Sequence, residues 1–249
     1  MKNIPLHNSA REMPDYLLHS QEQTLARPER EMRSSDSPYI EQIGRLCIES
    51  ESVSLCPASG HWNMLVVRYQ DEISLSVWGP MTKGAIMLYR EGAEILSITF
   101  PLGIFLPQMP VGHLVDTGEF LPRTSATSFW LGDFSWQFPG YENVEMFVNK
   151  LVRKGLLVHD PVVDAALQDQ AQAMSKRSIQ RRFRHATGLS LRTLQAIERA
   201  QHAATLLQQG TSVLDTVEEA GYFDQPHLTR ALKRFIGQTP TQIARMGKP

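Results

Sequence analysis

Two stretches near the carboxy end most constrain what this chain can fold into. Each opens on a helix-capping residue, repeats apolar side chains three and four apart, and stops at a glycine. The second is the cleaner. Ser212, with Asp215 three residues on, starts a helix whose Val213, Leu214, Val217 and Ala220 are expected to be buried. Gly221 ends it. Asp224 then caps a helix over 225–236 with Pro226 in the first turn, where a missing N–H costs nothing. Leu228, Leu232 and Phe235 fall on its inner side, Gln225, His227, Thr229, Arg230, Lys233 and Arg234 on the rest, and Gly237 closes it. A short helix, a tight turn and a helix with exposed Gln and Arg is the geometry that carries base-reading side chains into a major groove. Arg bonds guanine bidentately, Gln does so with adenine, and Lys mostly meets phosphate.

The first stretch repeats the plan. Ser175 caps a helix over 176–186, Ile179 and Phe183 point inward, and Gly188 ends it. Its outer face carries Lys176, Arg177, Gln180, Arg181, Arg182 and Arg184, a crowd of cations that repel one another without an anionic partner. Between the stretches, Leu191, Leu194, Ile197, Ala200, Ala204 and Leu207 mark an amphipathic helix ending at Gly210. At about 1.5 Å per residue it spans about 28 Å, close to one turn of B-DNA at roughly 34 Å once its flanking turns are added. Two reading helices so spaced reach successive major grooves on one face of a duplex.

Charge supports this division. The net charge is −1, but from Ser175 onward twelve Lys and Arg stand against five Asp and Glu, leaving the preceding residues with thirteen against twenty-one. An acidic body with a basic end is the footprint of nucleic-acid binding by one half.

The residues SKRSIQRRFRHATGLS, the linker helix, and AGYFDQPHLTRALKRFIGQTPTQIAR together resemble the carboxy-terminal domain of the AraC/XylS family of bacterial transcription regulators, over about residues 162–245. Gly221-Tyr222-Phe223-Asp224, Leu228, Arg230, Lys233, Phe235, Gly237 and Thr239-Pro240 carry the likeness. It implies an all-helical domain with two helix-turn-helix units joined by a long helix, and a cytoplasmic transcription factor that binds double-stranded DNA and meets RNA polymerase. Its DNA-binding residues are expected to be Lys176, Arg177, Gln180, Arg181 and Arg184 in the first unit, and Gln225, His227, Arg230, Lys233 and Arg234 in the second. Pro226 stands where relatives place a polar reader. The first unit also departs from the family, because VVDAALQDQAQAM lacks the usual apolar, glycine-containing turn.

The rest of the chain reads as β structure. Residues 1–35 form a polar arm, within which 16–26 has helix-forming character. From about Tyr39 to Pro139, short strands such as 62–69, 73–78, 85–89 and 94–100 alternate with turn formers, and 101–122 is expected to be irregular. Helix resumes at Tyr141, where Val144, Phe147, Val148, Leu151 and Val152 form one stripe that ends at Gly155. The expected fold is α+β in two domains: a cupin-like β-sandwich or barrel over 36–158 for sensing or dimerisation, then the double helix-turn-helix domain over 159–249. FWLGDFSWQFPGYENVEMFVNKLV resembles the sensory domains of one AraC-type subgroup, which bind a small effector, form homodimers, or do both.

Other classes are disfavoured. No run of eighteen apolar residues crosses a membrane, and the opening residues lack a secretory apolar core. Cys47 and Cys56 show no metal-binding spacing and are expected to be reduced thiols. His61, His113 and His159 lie far apart without an HxH pair, and no P-loop, serine elbow or HExxH occurs, so neither metal, cofactor nor enzyme activity is expected. The alternative is a cupin-like enzyme or ligand-binding protein with a basic helical attachment domain. Trp62 and Trp78 are the candidate effector-lining residues, against a reading in which all four tryptophans are core or interface aromatics.

Overall fold

The structure is a computed structural model and describes residues 30–170 and 174–246; the helix-forming stretch expected at 16–26 lies outside them. The β body is built on a six-stranded antiparallel sheet. Its strands are β1 (Arg30–Arg33), β2 (Gln42–Cys47), β4 (Asn63–Tyr69), β5 (Glu72–Trp78), β7 (Glu94–Thr99) and β9 (Gly118–Phe120), ordered β1-β2-β7-β4-β5-β9. The alternation seen in the sequence sets the register. Ile43 pairs with Ile98, Ile98 with Met64, and Met64 with Val77, so four buried side chains form one row across the sheet. β1 falls inside the stretch read as a polar arm; it forms the sheet's edge by pairing with β2.

Three two-stranded ladders complete the body: β3 (Ser52–Cys56) with β6 (Ala85–Tyr89), β8 (Ile104–Phe105) with β12 (Val158–His159), and β10 (Ser128–Leu131) with β11 (Phe134–Gln137). The stretch expected to be irregular therefore contributes β8, a 3-10 turn over Val111–His113, and β9. Helix α1 (Val144–Arg153) buries Val144, Phe147, Val148 and Leu151, as its spacing requires, against Phe129, Leu131 and Trp136 of the β10–β11 hairpin. Arg33 holds α1 from β1 through the Glu145 carboxylate and the Tyr141 carbonyl.

Among the described residues six helices follow: α2 (Pro161–Leu167), α3 (Lys176–Thr187), α4 (Leu191–Gln208), α5 (Val213–Glu219), α6 (Gln225–Phe235) and α7 (Pro240–Met246). Three buried apolar clusters run through the described residues, and two of them reach the helical region. One joins the sheet, α1 and the hairpin, and reaches into the helical region to take Phe183 and Ala186 of α3 and Leu194 of α4. The other gathers Ile197, Ala200, Ala203 and Leu207 of α4 with Leu228, Leu232 and Phe235 of α6 and Ile243 of α7, and it includes Ala58 from the β body.

Candidate nucleic-acid interface

Each expected cap is present. Ser175 Oγ accepts the Ser178 N–H at 3.2 Å, Ser212 Oγ accepts that of Asp215 at 3.1 Å, and Asp224 Oδ1 accepts that of His227 at 2.7 Å. Gly188, Gly221 and Gly237 hold φ of 74°, 66° and 85°, the left-handed conformation that stops a helix at little cost only in glycine.

On α3 the apolar side is consumed by the β body. Phe183 and Ala186 are buried beside Ile104, Phe105 and Val111, and the His185 ring stands edge-on to Phe105 at 5.2 Å. The structure brings Lys176, Arg177, Gln180, Arg181 and Arg184 together on the opposite, exposed side. Among the described residues none of these four cations lies within 4.0 Å of a carboxylate. Arg182, expected beside them, behaves otherwise. It donates to both carboxylate oxygens of buried Asp160, Nε to Oδ2 at 3.0 Å and Nη2 to Oδ1 at 2.6 Å. Asp160 is also the cap of α2, accepting the Val162 N–H at 3.0 Å. One carboxylate thus joins the start of the helical region to α3.

The helix that precedes α3 stops at Leu167, and Asp169 turns out with φ of 55°. The polar run Gln168-Asp169-Gln170 offers no apolar side to extend it. In the second unit α5 ends at Glu219 and α6 begins at Gln225.

On α6, Leu228 and Leu232 are fully buried and Phe235 nearly so. Gln225, Arg230, Lys233 and Arg234 are exposed. His227 is half-buried, its ring edge-on to Tyr222 at 5.1 Å, so it braces the turn at least as much as it faces outward. Arg199 of α4 lies over the same Tyr222 ring, 4.8 Å from its centre. Leu214 corrects an expectation. It is 72% exposed, and the inward place on α5 goes to Thr216, whose hydroxyl donates to the Ser212 carbonyl. Phe223, in the turn, is 90% exposed.

The carboxy end of α6 docks on the β body in a way the sequence did not announce. A helix leaves its last four carbonyls without partners in the helix. Here the Phe235 carbonyl accepts the Ala58 N–H at 2.6 Å, and the Arg234 carbonyl accepts that of Gly84 at 2.9 Å. Gln201 of α4 returns the contact, its Nε2 donating to the Ala58 carbonyl at 2.7 Å. The approach is close enough that a Cβ on Gly84 would stand 2.8 Å from the Gly237 nitrogen, and one on Gly60 2.2 Å from Leu194 Cδ1. In sequence both glycines look like ordinary turn residues; no local signal distinguishes them.

The tryptophans do not assemble into a shared cavity. Trp62 is 4% exposed, stacked on Phe100 at 4.0 Å, with its N–H given to the Ile104 carbonyl. Trp78 packs over Gly118 and bonds Ser76 Oγ. Trp62 is buried and Trp78 partly buried.

The fold and this surface define a protein with a β body bearing a double helix-turn-helix domain. Residues 170–246 match the family described as a helix-turn-helix domain. The chain is 34% identical over 88 residues to the HTH-type transcriptional regulator RipA of Corynebacterium glutamicum, a match covering 34% of this chain. It spans about a quarter of that relative's length, 27%. Two structures of ToxT from Vibrio cholerae superpose more loosely. One covers 87% of this chain and 98% of ToxT at 11% identity and a TM-score of 0.35, the other 87% and 100% at 9% and 0.39.

Proposed function

We propose that the protein is a sequence-specific transcription factor whose α3 and α6 read two successive major-groove segments of one duplex. The observation that carries this reading is the sidedness of both helices. Each buries its apolar side and leaves exposed a set of Lys, Arg and Gln, Lys176, Arg177, Gln180, Arg181 and Arg184 on one, Gln225, Arg230, Lys233 and Arg234 on the other. Exposed cations that lack protein carboxylates suit phosphate, and Arg and Gln suit base edges. Helix α4 has 18 residues, about 27 Å at roughly 1.5 Å per residue, a length compatible with one duplex turn between the readers. In this reading the β body senses a small effector or joins a second copy, RNA polymerase is the downstream partner, and the protein works in the cytoplasm without catalysing a reaction. Among the described residues no helix is long and apolar enough to cross a membrane.

The test is binding of the full chain to DNA selected from a random pool, followed over a salt series. If about four of the outward cations meet phosphate, log affinity falls with log salt at a slope of about −4, and selection yields one bipartite site. A slope near zero with no enriched sequence would sink the proposal and favour a basic attachment domain.

A further inference from the structure

Away from both reading helices, an open groove of about 350 Å³ lies between the β10–β11 hairpin and α1. Its floor is aromatic, made by Phe134, Trp136 and Phe138 with Phe147 behind. Trp136 stands edge-on to Phe147 at 5.9 Å and to Phe134 at 6.2 Å, and its N–H is already given to the Leu131 carbonyl at 3.1 Å. The indole therefore offers the groove only apolar surface.

The α1 wall adds direction. Met146, Lys150 and Lys154 follow one another at intervals of four, so they lie in one stripe along the helix and its cap. Met146 is 56% exposed at one end of that stripe. At the other, the Lys154 ammonium sits 4.7 Å from the centre of the Phe134 ring. Neither lysine has a carboxylate within 4.0 Å among the described residues, and no Asp or Glu lines the groove. Two like charges four apart on a helix repel, and an anion between them removes that repulsion. A second groove, lined by Tyr39, Leu102, Ile104, His159 and Asp164, shows no such bias, because its His159 already meets Asp164 at 2.8 Å.

We propose that the groove over Trp136 binds a small amphipathic anion, a flat aromatic or short alkyl carboxylate. Its apolar part lies on Phe134, Trp136 and Met146, and its carboxylate lies between Lys150 and Lys154. The volume falls in the range of small-molecule sites, roughly 300–1,000 Å³. No residue of the groove belongs to α3 or α6, so this inference stands or falls separately from the DNA reading.

Calorimetric titration of the full chain tests it, with 1-naphthoate as the probe and 1-naphthalenemethanol and 1-naphthylmethylammonium as neutral and cationic counterparts. The expected result is one naphthoate per chain, held at least ten-fold more tightly than either counterpart. The Lys150→Gln/Lys154→Gln variant, shown by its melting transition to remain folded, should lose that preference. Equal binding of the alcohol and the carboxylate would overturn the proposal, as would a preference that survives in the double variant. Absence of binding up to the probe's solubility would overturn it too. Concentration-dependent self-association abolished by Phe134→Ser would then assign the groove to a second copy of the chain.

Discussion

Replacing Asp160 by alanine should both loosen the first reading helix and leave DNA readout qualitatively intact. The carboxylate does two things at once: it caps α2 through the Val162 N–H and takes two bonds from Arg182. Loss of a cap costs about 1 kcal/mol. A hydrogen bond to a charged group contributes roughly 1.5–3 kcal/mol. The Arg182 side chain is 43% exposed, so its guanidinium regains water when the partner goes, and the lower end of that range applies. Asp160→Ala should therefore lose about 2–3 kcal/mol in urea unfolding followed by both circular dichroism and tryptophan emission. Arg182→Ala keeps the cap but strands a buried carboxylate, and should lose about 1–3 kcal/mol. In the double-mutant cycle the pair should show a coupling of about 1–2 kcal/mol. Because Arg182 is tied inward, its alanine variant should leave the salt slope of DNA binding unchanged, whereas Arg181→Ala should lower the slope by about 0.9 if Arg181 meets a phosphate. A coupling below about 0.3 kcal/mol would refute the account of the pair. An Arg182 variant that lowered the slope as much as Arg181→Ala would show Arg182 to be a DNA contact instead.

Four other substitutions probe different parts of the structure. Arg230→Ala should flatten discrimination among DNA sequences by about 1–3 kcal/mol at its position, while Lys233→Ala should weaken all sequences alike; competition binding with single-base variants of a selected site separates them, and no change in either would exclude α6 as a reader. Gly84→Val should undock the end of α6 from the β body, since its first side-chain carbon meets the Gly237 and Ile236 backbone at 2.8 Å; a loss of about 1–3 kcal/mol is expected in urea unfolding, and a wild-type midpoint would deny the contact. Burial holds the His61 imidazole below its ordinary value, against the opposing pull of Glu41 and Glu198. A depressed value means that the unfolded chain takes up the proton first, so this contribution is complete above about pH 6.5 and fades as pH falls through the lowered value. His61→Gln should therefore reduce the drop in urea midpoint between pH 7.5 and 5.5, and an identical drop in both proteins would contradict this.

The sequence by itself determined where α3 and α6 begin and end and which side of each is greasy. Capping at Ser175, Ser212 and Asp224, the glycine stops at 188, 221 and 237, and the alternation that aligns Ile43, Ile98, Met64 and Val77 act over a turn of helix or a pair of residues, so they survive in a linear reading. The tertiary structure decided which polar or apolar side chains stay available. Arg182 and Arg181 are neighbours of one chemistry, yet a carboxylate 22 residues away holds the first and leaves the second exposed. Leu214 stands out in solvent because Thr216 and Ala220 take the inner side of a two-turn helix, and Trp62 is closed off by Phe100. The carboxy end of α6 is completed by Ala58 and Gly84, amides from the other end of the chain. Local rules speak for segments of a few residues, whereas a partner 150 residues distant is fixed only when both cores close around α3, α4 and α6.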